Sequence, residues 1–299
     1  MPNGERTAVL PYGIQPPQFR LPDSANPGAV RLQVGDLERS LNYYQRVLGL
    51  RVLHSDVETA SLAAHGDDRV LVALQAGPGV KRARRGALGL YHFAILLPDR
   101  ASLGRFAAHA AALRVRVGMA DHLVSEALYL WDPDDLGIEV YADRPRETWR
   151  HRDRELAMAT DPLDIDSVIA AGGGTSWDGA PAGTTIGHVH LHVGGLDLAE
   201  AFYHRALGFD KMVWSYPGAL FLAAGGYHHH LGTNVWAQGP AAAADEARLL
   251  EWEIVLPTEA DVTAAAGSLA AAGHTPDATP HGIVVADPWG TRARVRAEG

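Results

Sequence analysis

The sequence predicts an α+β fold built from four copies of one βαβββ module. Four consecutive stretches each contain a strand pattern, an amphipathic helix pattern and three further strand patterns. Landmarks also recur at a fixed spacing: Gly35 and Gly194 are 159 positions apart, as are Pro98 and Pro257. This constant spacing indicates an internal duplication in which each half of the chain holds two modules. Because one module is too small to bury both faces of its own sheet, we expect the modules to pair.

The composition is typical of a globular protein with two domains of ordinary size. The chain has 299 residues, of which 47% are hydrophobic and 20% are charged. A net charge of −9, without a basic stripe, argues against nucleic-acid binding. No apolar run approaches the roughly 20 residues of a membrane span, and the start lacks the pattern of a secretory signal. A cytoplasmic protein is therefore expected, and the absence of cysteine excludes disulfides and thiolate chemistry.

The modules divide the chain into two predicted domains joined by a connection. Residues 1–28 are rich in proline and form a lead-in. Modules one and two occupy residues 29–143, and modules three and four occupy residues 186–299. Residues 144–185 combine a charged run, a short amphipathic segment and a glycine-rich tail, which is typical of an interdomain connection.

Cap and turn residues set the limits of individual elements. Asp36 is placed to cap the helix of module one, and Gly49 is placed to end it. The sequence DPDD at residues 132–135 predicts the turn of a hairpin in module two. In module three, Asp197 and Glu200 have the spacing of a capping box.

Comparison of repeat-equivalent positions selects four residues that can ligate a metal: His92, Glu139, His188 and His229. All four belong to the inner modules, two and three. Two imidazoles and one carboxylate form the facial triad of non-haem Fe(II) oxygenases. Zinc uses the same ligand types, so the residues alone leave the metal open. A single histidine on a strand is more often structural, but three histidines and one glutamate at repeat-equivalent positions favour a site.

The equivalent positions in modules one and four hold Ala29, Arg69, Glu251 and Arg294. This set is unsuited to a cation, and two arginines near one carboxylate are typical of a structural ion pair. If the modules paired in chain order, each domain would hold half a site. If module two pairs with three, and one with four, the protein has one complete site. The second arrangement is favoured because it gathers all four candidate ligands into one site. The long connection can join modules two and three in this arrangement without forming a knot.

From about residue 28 onward, the sequence resembles the vicinal oxygen chelate superfamily (glyoxalase, bleomycin resistance and extradiol dioxygenase proteins). The fourfold module plan and the GH…L…FY…LGF pattern of module three carry this resemblance. The stretches that are similar to two-domain catechol 2,3-dioxygenase-like proteins are GLYHFAILLPDR, DHLVSEALYL, YADRPRETW, IGHVHLHV and GGYHHHLG. The resemblance implies two barrel-like, incompletely closed mixed β-sheets with helices outside. It also implies extradiol ring cleavage of a small aromatic diol with O2.

Part of module two resembles the signature of extradiol ring-cleavage dioxygenases. His122, Tyr129 and Glu139 have the spacing of that signature, while Ala120 and Asp135 depart from it at flank or turn positions. The resemblance implies that His122 and Tyr129 donate hydrogen bonds to substrate oxygens.

The resemblance also implies a metal set, with Fe(II) expected and Mn(II) or Zn(II) as alternatives. The implied ligands are His92, Glu139 and His188. His229 would be the acid/base beside the oxygen-binding position. His228 and His230 are expected to point away from His229, because side chains alternate along a strand.

Two other functions compete with ring cleavage. One is another metal enzyme of the same fold, such as a glyoxalase-type isomerase or a thiol transferase, although these favour two carboxylates or a glutamine. The other is a non-catalytic small-molecule binding protein, although such members typically lack ligands in both sites. The aromatic residues expected near a pocket are Trp214, Phe221, Tyr227 and Trp236. The sequence leaves the assembly open, a homodimer being one option.

Overall fold

Each module folds in the predicted order of one strand, one helix and three strands, in a computed structural model that describes residues 12–298. Module one contains β1 (Asn26–Val34), α1 (Leu37–Arg46), β2 (Arg51–Ser55), β3 (Thr59–Ala63) and β4 (Val72–Ala76). Module two contains β5 (Gly89–Leu96), α2 (Arg100–Ala112), β6 (Gly118–Asp121), β7 (Ser125–Trp131) and β8 (Gly137–Asp143). The first 11 residues of the predicted lead-in lie outside the described residues.

The connection and the second half complete the chain. The connection contains a 3₁₀ turn (Arg146–Thr148), β9 (His151–Arg152), β10 (Glu155–Leu156) and α3 (Ile165–Ala171). Module three contains β11 (Thr185–His192), α4 (Leu196–Ala199), a π-helical segment (Glu200–Ala206), β12 (Asp210–Val213), β13 (Ala219–Ala223) and β14 (Leu231–Asn234). Module four contains β15 (Arg248–Leu256), α5 (Glu259–Ala271), β16 (Asp277–Thr279), β17 (Gly282–Ala286) and β18 (Arg292–Ala297).

Sixteen strands form two mixed sheets of eight, each drawing from both halves of the chain, and β9 pairs with β10 in a separate two-stranded sheet. One sheet has the order β6-β7-β8-β5-β11-β14-β13-β12, so it joins modules two and three. The other has the order β2-β3-β4-β1-β15-β18-β17-β16, so it joins modules one and four. At each junction the first strands of two modules pair antiparallel. The predicted α+β fold class and the pairing of the inner modules are both confirmed.

Local capping chemistry sets the helix starts. The Asp36 carboxylate accepts a hydrogen bond from the backbone N–H of Arg39 at 2.9 Å, which caps α1 as predicted. Gly49, just past this helix, has a φ of +70°, which a side-chain-bearing residue adopts only with strain. Asp99 caps α2 in the same way, accepting from Ser102 N at 2.6 Å. No helix within residues 12–298 is long and apolar enough to cross a membrane.

The predicted capping box of module three is wrong. The helix begins at Leu196, and its N-cap is Gly195, which has no side chain to accept a hydrogen bond. Asp197 therefore lies already inside the first turn. Glu200 instead forms ion pairs with Arg205 at 3.2 Å and Lys211 at 3.1 Å.

The three consecutive histidines do not lie on a strand, which corrects the sequence interpretation. Gly225 and Gly226 turn the chain with φ values of +59° and +67°, and β14 begins only after His230. Strand alternation therefore does not fix the directions of these side chains. His228 therefore lies beside His229, with their Nδ1 atoms 2.7 Å apart, rather than pointing away from it.

Candidate active site between modules two and three

The sheet register explains why three predicted ligands converge. His188 on β11 pairs with Ala94 on β5, and Ala94 pairs with Glu139 on β8. These two side chains therefore stand in one row across three strands. His92 lies two positions before Ala94, so it projects from the same face of β5. Modules two and three thus contribute to one cluster across their shared strands.

The separations within this cluster suit a metal ion. The Glu139 Oε2 atom lies 3.0 Å from His92 Nε2 and 3.0 Å from His188 Nε2. The two Nε2 atoms are 3.4 Å apart. Ligand atoms held about 2.1 Å from a metal at adjacent octahedral positions lie about 3 Å from one another. The donor set therefore fits a divalent ion bound on one face by two nitrogens and one oxygen.

Protonation states also favour metal binding. Burial lowers the pKa of both His92 and His188, which keeps their imidazoles neutral with a lone pair available. Burial alone would raise the pKa of Glu139, but the charge and hydrogen-bond interactions with His188 and His92 outweigh it and hold that pKa well below its usual range. The cluster thus presents the deprotonated forms that metal ligation requires.

A cavity of about 330 Å³ opens beside the cluster. Its lining is mainly aromatic and aliphatic, and includes Tyr91, Met119, Leu130, Trp131, Ile138, Met158, Tyr216, Phe221 and Trp236. His92, Glu139 and His229 reach this cavity, whereas His188 does not line it. Among the described residues that line it, Glu139 is the sole acid and there is no lysine or arginine.

His229 lies in the cavity wall next to the ligand cluster. The ring centres of His229 and His188 are 4.0 Å apart, and Phe221 packs edge-on against His229 at 4.9 Å. Burial lowers the pKa of His229 well below its usual value, so the imidazole is neutral. The structure thus brings His229 to the place where an acid/base group was expected.

His122 and Tyr129 bond to each other at the cavity wall. The His122 Nδ1 atom lies 2.6 Å from the carbonyl oxygen of Ala159 and therefore donates to it. Its Nε2 atom then accepts from the Tyr129 hydroxyl at 2.6 Å. Burial and the neighbouring Glu139 raise the pKa of Tyr129 well above its usual value, so the phenol keeps its proton. The two side chains form one hydrogen-bonded pair, which the Ala159 carbonyl orients.

Several lining residues were missed from the sequence. Met158 and Thr160 belong to the connection, which carries no periodic pattern, and the Thr160 hydroxyl bonds to Tyr216 at 2.8 Å. The position of His190 at the cavity could have been predicted from the sequence, because His190 lies two positions after His188 and therefore on the same face of β11. Of the four aromatic residues expected near a pocket, Phe221 and Trp236 line it, whereas Trp214 and Tyr227 are not among the lining residues.

The corresponding place in the other sheet holds an ion pair. Arg294 binds the Glu251 carboxylate through two nitrogens, at 2.7 Å and 3.2 Å. This confirms the expected pairing for one of the two arginines. Arg69 instead bonds to Asp67 at 3.1 Å, because that carboxylate is only two residues away in the same loop.

Paired βαβββ modules in two mixed sheets define the vicinal oxygen chelate fold. The family model described as "Glyoxalase/Bleomycin resistance protein/Dioxygenase superfamily" matches residues 27–140 and 185–295. The chain belongs to this superfamily, which confirms the resemblance predicted from the sequence.

Comparison with individual proteins gives a relative with high sequence identity and solved structures that share the fold at low sequence identity. The chain is 44% identical over 268 residues to Catechol-2,3-dioxygenase of Bacillus subtilis (strain 168), covering 87% of this chain and 93% of the relative. A crystal structure of a candidate dioxygenase from Bacillus subtilis subsp. subtilis str. 168 matches with a TM-score of 0.66 and 13% identity, covering 93% of this chain and 86% of that one. Glyoxalase I from Zea mays matches with a TM-score of 0.57 and 19% identity, covering 92% of each chain. These two likenesses show the fold alone.

Proposed function

We propose that this protein is an Fe(II)-dependent extradiol dioxygenase that cleaves the ring of catechol-type diols with O2. The convergence of His92, Glu139 and His188 beside an aromatic cavity, which His92 and Glu139 line, carries the proposal. A facial set of two imidazoles and one carboxylate leaves open positions for a bidentate diol and for O2. The 44% identity to Catechol-2,3-dioxygenase supports the same activity.

The overall reaction needs no external reductant, because both atoms of O2 enter the semialdehyde product. When bound, Fe(II) supplies Lewis-acid activation of the diol oxygens and a common centre for diol and O2. His92, Glu139 and His188 would hold it. Mn(II) and Zn(II) suit the same ligand types, so metal identity is part of the test.

His229 would act as the general acid/base. Its neutral, buried imidazole lines the cavity beside His188. It would accept the proton of a diol hydroxyl and return a proton later in the cycle. Such a group contributes about 10²–10⁴-fold to a rate. Tyr129, whose phenol keeps its proton, would turn its O–H from His122 Nε2 toward a substrate oxygen as negative charge develops there.

The cavity favours diols with uncharged, apolar substituents. A carboxylate on the ring would be buried among aromatic side chains with no lysine or arginine from the described lining residues to neutralise it. Glu139 would repel it further. We therefore expect alkyl- or aryl-substituted catechols to be cleaved with a higher kcat/KM than carboxylated ones.

The test is metal content and aerobic turnover of 3- and 4-substituted catechols, with protein loaded anaerobically with Fe(II). His92→Ala should lose both bound metal and the yellow ring-cleavage product. His54→Ala removes an exposed histidine of β2, with 69% side-chain exposure, and should retain both. Full turnover in His92→Ala would refute the assignment. Bound metal without ring cleavage in the unaltered protein would refute the dioxygenase activity and favour another metal-dependent reaction.

A further inference from the structure

A line of hydrogen bonds connects the active-site cavity to a partly exposed carboxylate at the end of β8. The Asp143 Oδ1 atom lies 3.0 Å from His228 Nε2. The His228 Nδ1 atom lies 2.7 Å from His229 Nδ1. The His228 side chain is fully buried, whereas that of Asp143 is 28% exposed. This line of hydrogen bonds therefore runs from the protein surface, through a buried imidazole, to the cavity wall.

The acceptor at one end sets the direction of the bonds in this line when each imidazole carries one ring proton. An ionised carboxylate can only accept, so His228 donates its Nε2–H to Asp143. A neutral imidazole carries one ring proton, so His228 Nδ1 is left as an acceptor. It then accepts Nδ1–H of His229, whose Nε2 keeps its lone pair. Because Nδ1 faces His228, Nε2 is the ring nitrogen available to a molecule in the cavity.

We propose that Asp143 and His228 are positioning residues that fix the Nδ1–H tautomer of His229 and so present its Nε2 lone pair to the substrate. The catalytic consequence rests on the proposed ring-cleavage function. The tautomer itself follows from the hydrogen bonds and does not depend on that function.

Surrounding residues hold this arrangement in place. The Tyr227 hydroxyl donates to Asp143 Oδ1 at 3.1 Å, and it accepts from Tyr141, which lies 2.7 Å away. The Tyr227 ring lies against the His228 ring with centres 4.0 Å apart, and Trp149 lies 5.4 Å from the same imidazole. Asp143 is thereby oriented by a second donor, and the His228 ring is confined between aromatic neighbours. Ligand histidines in metal sites are commonly oriented by similar outer partners.

The inference is tested first by ¹⁵N NMR of histidine ring nitrogens in full-length protein, with Zn(II) added as a diamagnetic ion and without added metal. The signals of His229 are identified by their loss in His229→Gln. The unaltered protein should show a protonated Nδ1 and an unprotonated Nε2 at His229. Asp143→Ala removes the acceptor, so His229 should become a mixture of tautomers. Asp143→Leu, which has no acceptor but fills similar space, serves if the alanine variant does not fold.

Turnover provides the second readout. Loss of an orienting partner typically costs about 10–100-fold in activity. We expect that loss in kcat for Asp143→Ala, with KM for the diol unchanged, and partial recovery in Asp143→Glu. An Nε2–H tautomer in the unaltered protein would overturn the inference, as would an unchanged His229 tautomer or an unchanged kcat in Asp143→Ala. If the predicted tautomers appear but no catechol is cleaved by any form, the dioxygenase proposal fails while the tautomer assignment stands.

Discussion

The substitution Glu139→Gln should weaken metal binding while leaving the fold intact. The substitution keeps the shape of a side chain that is 2% exposed, but it removes the charge that lies 3.0 Å from both imidazoles. Structural zinc sites with four ligands bind with about 10–16 kcal/mol, so one ligand contributes about 3 kcal/mol, or roughly 10²-fold in affinity. At a metal concentration 100 times the dissociation constant, binding stabilises the unaltered protein by about 2.7 kcal/mol. At the same metal concentration, binding stabilises the variant against unfolding by only about 0.4 kcal/mol.

The assay is the thermal unfolding midpoint with and without added Fe(II), Mn(II) or Zn(II). A gain of about 2.7 kcal/mol corresponds to a rise of roughly 5–10 °C, and the variant should rise by about 1–2 °C. Glu251→Gln is the matched control, because it neutralises a buried carboxylate at the equivalent place in the other sheet. It should lower the midpoint without metal and keep the full metal-induced rise. Equal metal-induced rises in Glu139→Gln and the unaltered protein would refute the ligand assignment.

Three further substitutions test separate parts of the molecule. Tyr129→Phe should lower kcat by about 10–100-fold, because it removes a donor at the cavity wall, and steady-state kinetics with unchanged kcat would contradict that role. Gly187→Ala should lower the free energy of unfolding in urea by about 1–3 kcal/mol, because a Cβ at this position collides with the Tyr141 hydroxyl. An unchanged urea unfolding midpoint would show that the strands can move apart. Arg294→Leu should cost about 2–3 kcal/mol by leaving Glu251 without its bidentate partner, while metal binding stays intact; a loss of bound metal would contradict the separation of the two sheets.

The module plan and the candidate ligands were predictable because both are written in local patterns. Strand alternation, helix caps such as Asp36, and glycines such as Gly49 report backbone geometry within a few residues. The duplication then allowed His188 to be compared with Ala29, and His92 with Glu251, inside one chain. The repeats therefore predicted the correct sheet pairing. This prediction rested on the fact that only modules two and three together carry a complete set of metal donors, and not on any sign of contact between strands.

Tertiary structure alone decided the surroundings of those ligands. The turn at Gly225 and Gly226 keeps His228 and His229 out of the sheet, which places His228 against His229 and overturns the expected alternation. The connection supplies Ala159 to orient His122, although nothing periodic in its sequence indicates an active-site segment. Periodic patterns report which face of an element is buried, whereas hydrogen bonds between irregular segments depend on where distant parts of the chain meet in space. For this protein the repeats determined the position of the site, and the packing of its loops determined which groups surround it.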